Sequence, residues 1–429
     1  MEPVTHMLTG ACLSRTGLNR KAAYATLTMV VAAEFPDIDT LWGLRGPIEG
    51  FQHHRGITHT FLGLPLEAAI LVGAVYGWHR WRVWRAGARV AGVLPLRHAQ
   101  GQDDGVEQAT ANASARAKGR EAAGIRPLTA APVRWGVLYG LALVGLLSHL
   151  LLDYTNNYGL RPFFPFNDRW YAASIVFIFD PVIFVLLLGA LTLPWLFGLV
   201  GSEVGARKQP FRARGWAIAV LLGVVAWWGL RAVEHARAVQ MAMTQSLAAP
   251  VAGSGSSQGS PTEAAAAQEV AAAGVQEDVA PAEPVPVYLA ARRALASPDP
   301  LSPFQWTAVM DFGPVYQMAE IDTRSGELTT GESTYPKPGS GRAVRRAEAS
   351  KLGRVYTDWS PIPFVEVTRS EEALGVGGGD AVKTVVTFRD PRFMGGWMRE
   401  RGRSALSGTV GLDAAGRVVR ETMGDRVER

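Results

Sequence analysis

Four apolar stretches constrain this chain more than any other feature of its sequence. They run from Thr60 to Trp78, Trp135 to Leu152, Pro181 to Val200 and Trp216 to Leu230. A helix needs about 20 apolar residues to cross the hydrocarbon core of a bilayer. Trp and Tyr residues cluster near the ends of these stretches, as they do at membrane–water interfaces. The pattern therefore predicts about four membrane-spanning helices rather than the buried helices of a large soluble protein.

The composition supports a chain that is partly dissolved in lipid. Hydrophobic residues make up 48% of the 429 residues and charged residues only 19%, which is unlike an ordinary soluble domain. The single cysteine, Cys12, excludes a disulfide framework and a cysteine-based zinc site within one chain.

The predicted fold is a mainly α-helical polytopic membrane domain followed by a small β-rich domain. A shorter apolar run, from Ala22 to Ala33, pairs with the segment before it in a predicted N-terminal helical hairpin, and residues 1–245 form the membrane domain. Residues 246–286 mix Ala, Gly, Ser, Pro and Glu without apolar periodicity, which predicts a disordered linker. Residues 287–429 contain short alternating segments punctuated by Gly, Pro and Asp, which predict a soluble antiparallel β domain.

Basic residues concentrate in two connections, residues 79–134 and 201–215. Cytoplasmic loops carry an excess of Lys and Arg, so we expect both connections on the cytoplasmic side of an inner membrane. The outer, periplasmic face then receives the start of the first span, the end of the second and the start of the third. The last span runs outward, which places the β-rich domain on that face as well.

Five short motifs contain nearly all the side chains that could carry chemistry. They hold His6 in "THM", Asp37 and Asp39 in "FPDID", His53, His54 and His59 in "HHRGITH", His149 and Asp153 in "SHLLLDYTNNYG", and Asp180 in "FIFDP". The predicted orientation of the spans brings all five motifs to the outer face. Histidines and aspartates with unrelated structural roles would be expected on both faces of the membrane. Their location on one face therefore indicates a shared functional site.

The pair His149 and Asp153 is the most informative of these motifs. The two residues are four apart in an apolar helix and therefore project from one face of it. An ionisable pair at the end of a spanning helix costs several kcal/mol unless it is partnered. A divalent metal ion would partner both groups; a His–Asp hydrogen bond inside a helix bundle is the alternative that remains open.

The predicted metal ligands are side chains of imidazole and carboxylate type without a thiolate: His6, Asp37, His53, His54, His59, His149 and Asp153. Such a set fits a divalent ion, with zinc favoured over manganese and others. The number of candidates exceeds the needs of one tetrahedral ion, which predicts more than one. Asp39 and Asp180 are predicted to act as a general base or to orient the ligands. Arg55 is predicted to bind the anionic part of a substrate, with a salt bridge to one of the aspartates as the alternative.

The segments "FPDID", "HHRGITHT", "HLLLDYTNNYG", "RPFFPFNDRWY" and "FIFDP" resemble the YdjM family. Its members are inner-membrane proteins described as metal-dependent hydrolases, some of them LexA-regulated. The resemblance covers roughly residues 1–230 and extends more loosely to the C-terminal domain. It implies a membrane-bound, metal-dependent hydrolase whose substrate is unassigned.

A more distant similarity links the histidines and aspartates to zinc-dependent phospholipase C and P1 nuclease sites. Those sites hold several zinc ions and include an HxxxD pair, which His149 and Asp153 match; His54, His59 and Asp37 are further partial matches. The chain departs from that group because Met1 stands where those enzymes have an N-terminal Trp.

The expected function is hydrolysis of a phosphate or acyl ester in an amphipathic or lipid substrate through metal-activated water. The lipid bilayer and a lipid or phosphate-bearing substrate are the expected partners, with neither nucleic acid nor another protein. The alternative is a non-catalytic membrane protein, either a transporter or a metal-stabilised scaffold. A transporter should hold its polar groups near the bilayer midplane, where Glu67 lies, whereas the five motifs lie at helix ends.

Overall fold

The computed structural model describes residues 2–98, 133–203, 213–248, 288–337, 341–369, 382–395, 406–424 and 426–427. Two sequence predictions therefore fall largely outside the described residues. One is the polar part of the first basic connection, and the other is the linker at 246–286. The first three residues of that linker, Ser246–Ala248, form a short strand.

The chain begins with the predicted helical hairpin. Helix α1 (Pro3–Arg15) packs against helix α2 (Ala25–Ala32). The carboxylate of Glu2 caps α1 by accepting hydrogen bonds from the backbone N–H groups of Val4 and Thr5. Gly10 lets the two helices approach closely, because a Cβ atom there would lie 2.5 Å from the carbonyl oxygen of Met29.

The chain between the hairpin and the next long helix folds into short helical segments. A 3-10 helix (Phe35–Arg45) leads into helix α3 (Pro47–His53), and a single 3-10 turn (Ile57–His59) precedes helix α4 (Gly63–His98). The segments Pro47–His59 and Gly63–Arg85 meet at an angle of 85°. The "HHRGITH" motif therefore lies at a sharp corner rather than along a straight helix.

Helices α5 (Trp135–Thr155), α6 (Pro181–Glu203) and α7 (Ala213–Met243) complete the bundle. Of the helices described, Trp135–Thr155 and Arg214–Met243 are long and apolar enough to cross a membrane, and the bent pair before Arg85 makes a third if it counts as one span. The apolar part of α6 that the structure describes, Pro181–Pro194, is too short. The predicted count of four spans is therefore not confirmed.

Small residues bring α2 and α5 into close contact. A Cβ atom on Gly145 of α5 would lie 2.8 Å from the Cβ atom of Ala32 and 2.9 Å from the carbonyl oxygen of Met29. Small residues allow such close approach between helices in membranes. The contact holds the C-terminal end of α2, including Ala33, beside His149 one turn further along α5.

The C-terminal region is β-rich and antiparallel, as predicted. One sheet contains β3 (Arg293–Pro298), β4 (Gln305–Asp311), β5 (Val315–Asp322) and β6 (Glu327–Pro336) in that order, and β1 (Ser246–Ala248) pairs with β2 (Tyr288–Ala290). A second sheet has the order β11-β10-β9-β8-β7, formed by β7 (Phe364–Arg369), β8 (Thr384–Arg389), β9 (Gly408–Leu412), β10 (Val418–Met423) and β11 (Arg426–Val427). Helices α8 (Arg342–Glu348) and α9 (Lys351–Trp359) lie between the two sheets in sequence.

The β region packs directly on the segment that follows α5. The guanidinium of Arg392 donates a 2.8 Å hydrogen bond to the carbonyl oxygen of Asn157, and the Asn157 amide donates to the hydroxyl of Ser297. The indole N–H of Trp359 donates to the carbonyl oxygen of Tyr158. The chain immediately after Asp153 is therefore held between the helical bundle and the β region.

Candidate metal centre

Four side chains from three separate segments converge at the end of α5. The Nε2 atoms of His59 and His149 lie 3.0 Å apart. Oδ1 of Asp37 lies 3.3 Å from Nε2 of His59 and 3.6 Å from Nε2 of His149. Oδ2 of Asp153 lies 3.5 Å and 3.6 Å from the same two nitrogens. These four atoms lie within 4.8 Å of one another and could hold one metal ion.

The spacing of these atoms matches the coordination shell of a small divalent ion. Tetrahedral zinc with bonds of about 2.0–2.1 Å keeps neighbouring ligand atoms about 3.3–3.4 Å apart. The measured separations run from 3.0 to 3.6 Å. The four side chains therefore fit an ion without rearrangement of the backbone.

The Nδ1 atoms of the two imidazoles face away from each other and contact different groups; that of His59 also lies 3.1 Å from the hydroxyl of Thr58. Nδ1 of His149 donates to the carbonyl oxygen of Ala33 at 2.8 Å, and Nδ1 of His59 lies 3.2 Å from Oδ2 of Asp39. Nδ1 of His149 therefore carries a proton, and in the neutral ring its Nε2 has a free lone pair. This lone pair faces Nε2 of His59 at 3.0 Å, where either a proton on His59 or a metal ion could bind it. Burial lowers the pKa of His59, but hydrogen bonds to Asp153, Asp37 and Asp39 outweigh it and raise the pKa to about 10. A contact of Nδ1 with a carbonyl or carboxylate oxygen is typical of metal-binding histidines.

Asp39 organises the corner on which His54 and His59 lie. Its Oδ1 lies 3.1 Å from Nδ1 of His54, while Oδ2 accepts from the backbone N–H of Arg55 at 2.8 Å and from the hydroxyl of Thr58 at 3.0 Å. Both carboxylate oxygens are therefore engaged. Asp39 orients the histidines, which is one of the two roles that the sequence predicts for it.

A second group of candidate ligands consists of Asp37, Asp39 and His54. Asp37 belongs to both groups, so its carboxylate is placed to bridge two neighbouring ions. An ion in this second position would replace the hydrogen bond between His54 and Asp39.

Hydrogen bonds from imidazoles keep both carboxylates of the "FPDID" motif ionised. Burial raises the pKa of Asp37, but the hydrogen bond from His59 and the charges of His149 and His59 outweigh it, so the pKa lies below its ordinary value. Burial likewise raises the pKa of Asp39, and the hydrogen bonds from His54 and His59 bring it below the ordinary value. Metal ligands must be deprotonated, and Asp37 meets this requirement at neutral pH.

Arg55 lies inside the site rather than at its mouth. Its Nε atom is 2.9 Å from Oδ2 of Asp153, and its terminal N–H groups donate to Asn156 and to the carbonyl oxygen of Gly159. The residue has a φ of 58°, a conformation that a side chain with a Cβ atom rarely adopts. The alternative that the sequence left open, a salt bridge to an aspartate, is thus present in the structure, and the contact with a substrate anion stays a prediction.

His6, on α1, lies beside the cluster. It belongs neither to the four-residue candidate metal group nor to the three-residue one. Its ring stacks on the ring of His149 at 3.8 Å, and its Nε2 lies 3.4 Å from Oδ1 of Asp153. The two oxygens of Asp153 thus face different histidines. His6 is near enough to position Asp153.

Two predicted site residues are placed elsewhere. His53 stacks on Trp42 and lies 3.2 Å from Glu49, with 39% of its side chain exposed, because the last turn of α3 points it away from His54. Asp180 accepts hydrogen bonds from the N–H groups of Val182 and Ile183 and so caps α6; its other oxygen accepts from Trp227. Neither residue belongs to a candidate metal group in the described chain.

Within the described part of the chain, Oε2 of Glu34 and Oε2 of Glu67, both buried, have no hydrogen-bond partner. Burial raises the pKa of Glu34 to about 8, and the neighbouring Asp37 adds to the effect. No sequence pattern predicts a role for Glu34, although its place directly before "FPDID" is an available signal. Glu67, which the sequence predicts near the bilayer midplane, is 5% exposed.

The side chains of the centre are exposed to different degrees. His59, His149 and Asp153 are completely buried, whereas 12% of the Asp37 side chain and 27% of the His54 side chain are exposed. Asp37 and His54 are therefore the most solvent-accessible members of the two candidate metal groups described above. The 3-10 helix that carries Asp37 also exposes apolar side chains, including Ile38 and Leu41.

Comparison with known proteins identifies one family. The profile described as YdjM inner membrane protein matches residues 1–238. The match contains every residue of both candidate metal groups and ends within α7, before the β region. No curated protein and no solved structure matches the chain.

Proposed function

The chain belongs to the YdjM family of inner membrane proteins, and from that premise we propose that it is a membrane-bound, metal-dependent hydrolase. The proposed substrate is a phosphate or acyl ester of an amphipathic or lipid molecule. One observation carries the proposal: Nε2 of His59, Nε2 of His149 and one carboxylate oxygen each of Asp37 and Asp153 converge within 4.8 Å of one another. A divalent cation bound there would contact all four groups at once.

The proposed ion is zinc, held by His59, His149, Asp37 and Asp153, with manganese or another divalent ion as the alternative. A divalent ion there would polarise a phosphoryl or acyl oxygen and activate water. A second ion is proposed at Asp37, Asp39 and His54. More than one ion agrees with the excess of candidate ligands over the needs of one tetrahedral ion.

The residues around the ligands have separate tasks in this proposal. Ala33 and Asp39 fix the ring orientations of His149 and His59 through their Nδ1 atoms. Arg55 balances the charge of Asp153 and holds its carboxylate. Asp37, which is partly exposed, lies on the side from which the substrate arrives.

We propose that the metal centre and the β region lie on the outer, periplasmic face of the inner membrane. The support is the concentration of Lys and Arg in residues 79–134 and 201–215, which favours a cytoplasmic location for these connections. The end of α5 that carries His149 and Asp153 is then periplasmic. Labelling of a cysteine introduced at Gln102 from the outside would contradict this orientation.

The function is tested with purified full-length protein. Elemental analysis should find a divalent metal in the wild type and in His53→Ala, and a loss of that metal in His149→Ala and Asp153→Asn. His53→Ala is the matched control because His53 lies in the same motif but outside both metal groups.

The same proteins, reconstituted with metal, are then assayed on phosphomonoester, phosphodiester and lipid ester substrates. The proposal expects turnover that His149→Ala abolishes and His53→Ala retains. Wild-type protein that holds metal and hydrolyses none of the three classes would support a metal-stabilised scaffold instead. Protein that binds no metal would refute the proposal entirely.

A further inference from the structure

A cavity of about 300 Å³ lies where the helical bundle meets the β region. Its walls come from three elements: α3, the loop after α5 and α9. Four aromatic side chains line it, Phe51, Phe164, Trp170 and Trp359, together with the cationic side chains of Arg161, Lys351 and Arg354. We infer that this cavity binds the phosphate-bearing headgroup of an anionic lipid.

The charges of the cavity favour an anion. Three cationic side chains and one carboxylate, that of Asp358, line it. Lys351 is paired with a carboxylate beside the cavity, that of Glu49 at 2.9 Å. The exposed Asp358 is also shared, since it accepts from the indole N–H of Trp170 at 3.2 Å and lies 3.4 Å from a terminal nitrogen of Arg161. Arg354 has no carboxylate within 4.0 Å among the described residues, so its positive charge is uncompensated there.

Arg161 has an unused hydrogen-bond donor at this cavity. Only 12% of its side chain is exposed, and its buried Nε–H has no acceptor in the described part of the chain. Burial lowers the pKa of Arg161, but an arginine remains charged in proteins. Phosphate oxygens are the acceptors for which guanidinium groups are best suited, and a phosphate in the cavity would satisfy this donor.

The aromatic walls do not form a site for a quaternary ammonium headgroup. The guanidinium of Arg161 lies 4.7 Å from the ring centre of Trp170 and 5.1 Å from that of Phe164. A choline group is bound by the open faces of such rings. Here an arginine covers two of the faces, so the cavity discriminates in favour of a headgroup without its own positive charge.

The surroundings place the cavity next to lipid. The loop that contributes Arg161 and Phe164 also carries Phe163 and Phe166, of which 48% and 86% are exposed. Aromatic side chains are enriched at membrane–water interfaces, so this loop lies at the level of the headgroups. A lipid in the bilayer could present its phosphate to the cavity while its acyl chains stay in the membrane.

This site is distinct from the metal centre and does not depend on the proposed hydrolysis. Tyr158 and Trp359, with ring centres 4.9 Å apart, stand between the two. On its other side Tyr158 contacts the ring of His54 and the guanidinium of Arg55. Lipid binding in the cavity should therefore persist without metal and without a functional metal centre.

The test uses full-length protein in detergent, freed of metal, and titrations with three probes by calorimetry. The probes are dihexanoyl phosphatidylglycerol, dihexanoyl phosphatidylcholine and inorganic phosphate. We expect the phosphatidylglycerol to bind, with an affinity that falls about tenfold or more in Arg354→Gln, since one charged hydrogen bond is lost. Lys351→Gln is the second variant and should weaken binding in the same direction.

Two variants complete the design. Arg346→Gln makes the same charge change at an exposed position of α8 outside the cavity, and should leave the affinity unchanged. His149→Ala should also bind the phosphatidylglycerol normally, which separates this inference from the proposed function. Equal affinities in wild type and Arg354→Gln would overturn the site. Equal affinity for phosphatidylcholine, or for inorganic phosphate, would overturn the assignment to an anionic lipid.

Discussion

The Nε atom of Arg55 lies 2.9 Å from Oδ2 of Asp153, and neither side chain is more than 4% exposed. The same carboxylate oxygen lies 3.5–3.6 Å from the two histidines of the candidate metal centre. One buried aspartate therefore contacts a fixed guanidinium and also belongs to the group that could hold the proposed metal ion. The contributions of Arg55 and of a bound ion to the stability of the buried Asp153 carboxylate can therefore be separated by experiment.

Replacement of Arg55 by Met should destabilise the metal-free protein by about 3–5 kcal/mol, because it leaves a buried carboxylate without its counter-charge. Added metal should restore much of this loss, since the ion supplies positive charge to Asp153. Unfolding in detergent with and without metal measures both effects. Arg417→Met, which removes an ion pair whose arginine is 72% exposed, should cost at most about 1 kcal/mol. An equal loss for Arg55→Met in both metal states would contradict the shared-charge interpretation.

Replacement of Asp39 by Ala should weaken metal binding about 10- to 100-fold without removing a ligand of the four-residue group. The physical reason is that Asp39 holds the Nδ1 atoms of His54 and His59. Competition with a chromophoric chelator measures the affinity. Glu49→Gln removes a carboxylate whose partners, His53 and Lys351, lie outside the metal groups, and its affinity should equal that of the wild type. If Asp39→Ala binds metal as tightly as that control, Asp39 does not orient the ligands.

Replacement of Gly145 by Ala should separate α2 from α5 and cost about 1–3 kcal/mol of stability through overpacking. It should also reduce metal affinity, because the shift moves the carbonyl oxygen of Ala33 away from His149. Gly140→Ala is the control on the same helix, where an added Cβ atom meets nothing within 4 Å. Thermal unfolding and metal titration of both variants check the prediction. Similar behaviour of the two variants would show that the close contact is not needed.

The elevated pKa of Glu34 predicts a specific dependence of stability on pH. With a pKa of about 8 against an ordinary 4.5, the folded protein holds a proton in this window that the unfolded chain has lost. Stability therefore falls as pH rises from 4.5 to 8. Glu34→Gln cannot lose such a proton, so the melting temperature of the metal-free variant should exceed that of the wild type above pH 8. Parallel pH profiles for the two proteins would refute the elevated pKa.

Part of the site could be predicted from local sequence rules. The i, i+4 spacing in an apolar helix points to His149 and Asp153, and positive-inside reasoning adds Asp37 and His59 from distant segments. Sequence rules do not predict where the His53 side chain points. At the end of a short helix this direction depends on tertiary contacts, here with Trp42. Asp180 precedes a proline that opens a helix, which is a capping signal that competes with a functional interpretation.

The fold was predictable to a similar degree. The N-terminal hairpin and the antiparallel β region follow from apolar periodicity and turn residues. The number of spans does not, since the corner before Gly63 breaks one apolar stretch by 85° and the described apolar part of α6 is short. The contacts of Arg392 and Trp359 with the loop after α5 could not be anticipated, because nothing local in the sequence pairs residues more than 200 positions apart.

The complete burial of His59, His149 and Asp153 has a consequence for kinetics. If an ion binds among these side chains, the partly exposed Asp37 marks its route to solvent through the described residues. We then expect its residence time to depend on how often the helices part, and less on the strength of the individual bonds. Exchange with a labelled isotope should accordingly be slow and should speed up steeply on warming, as opening motions become more frequent.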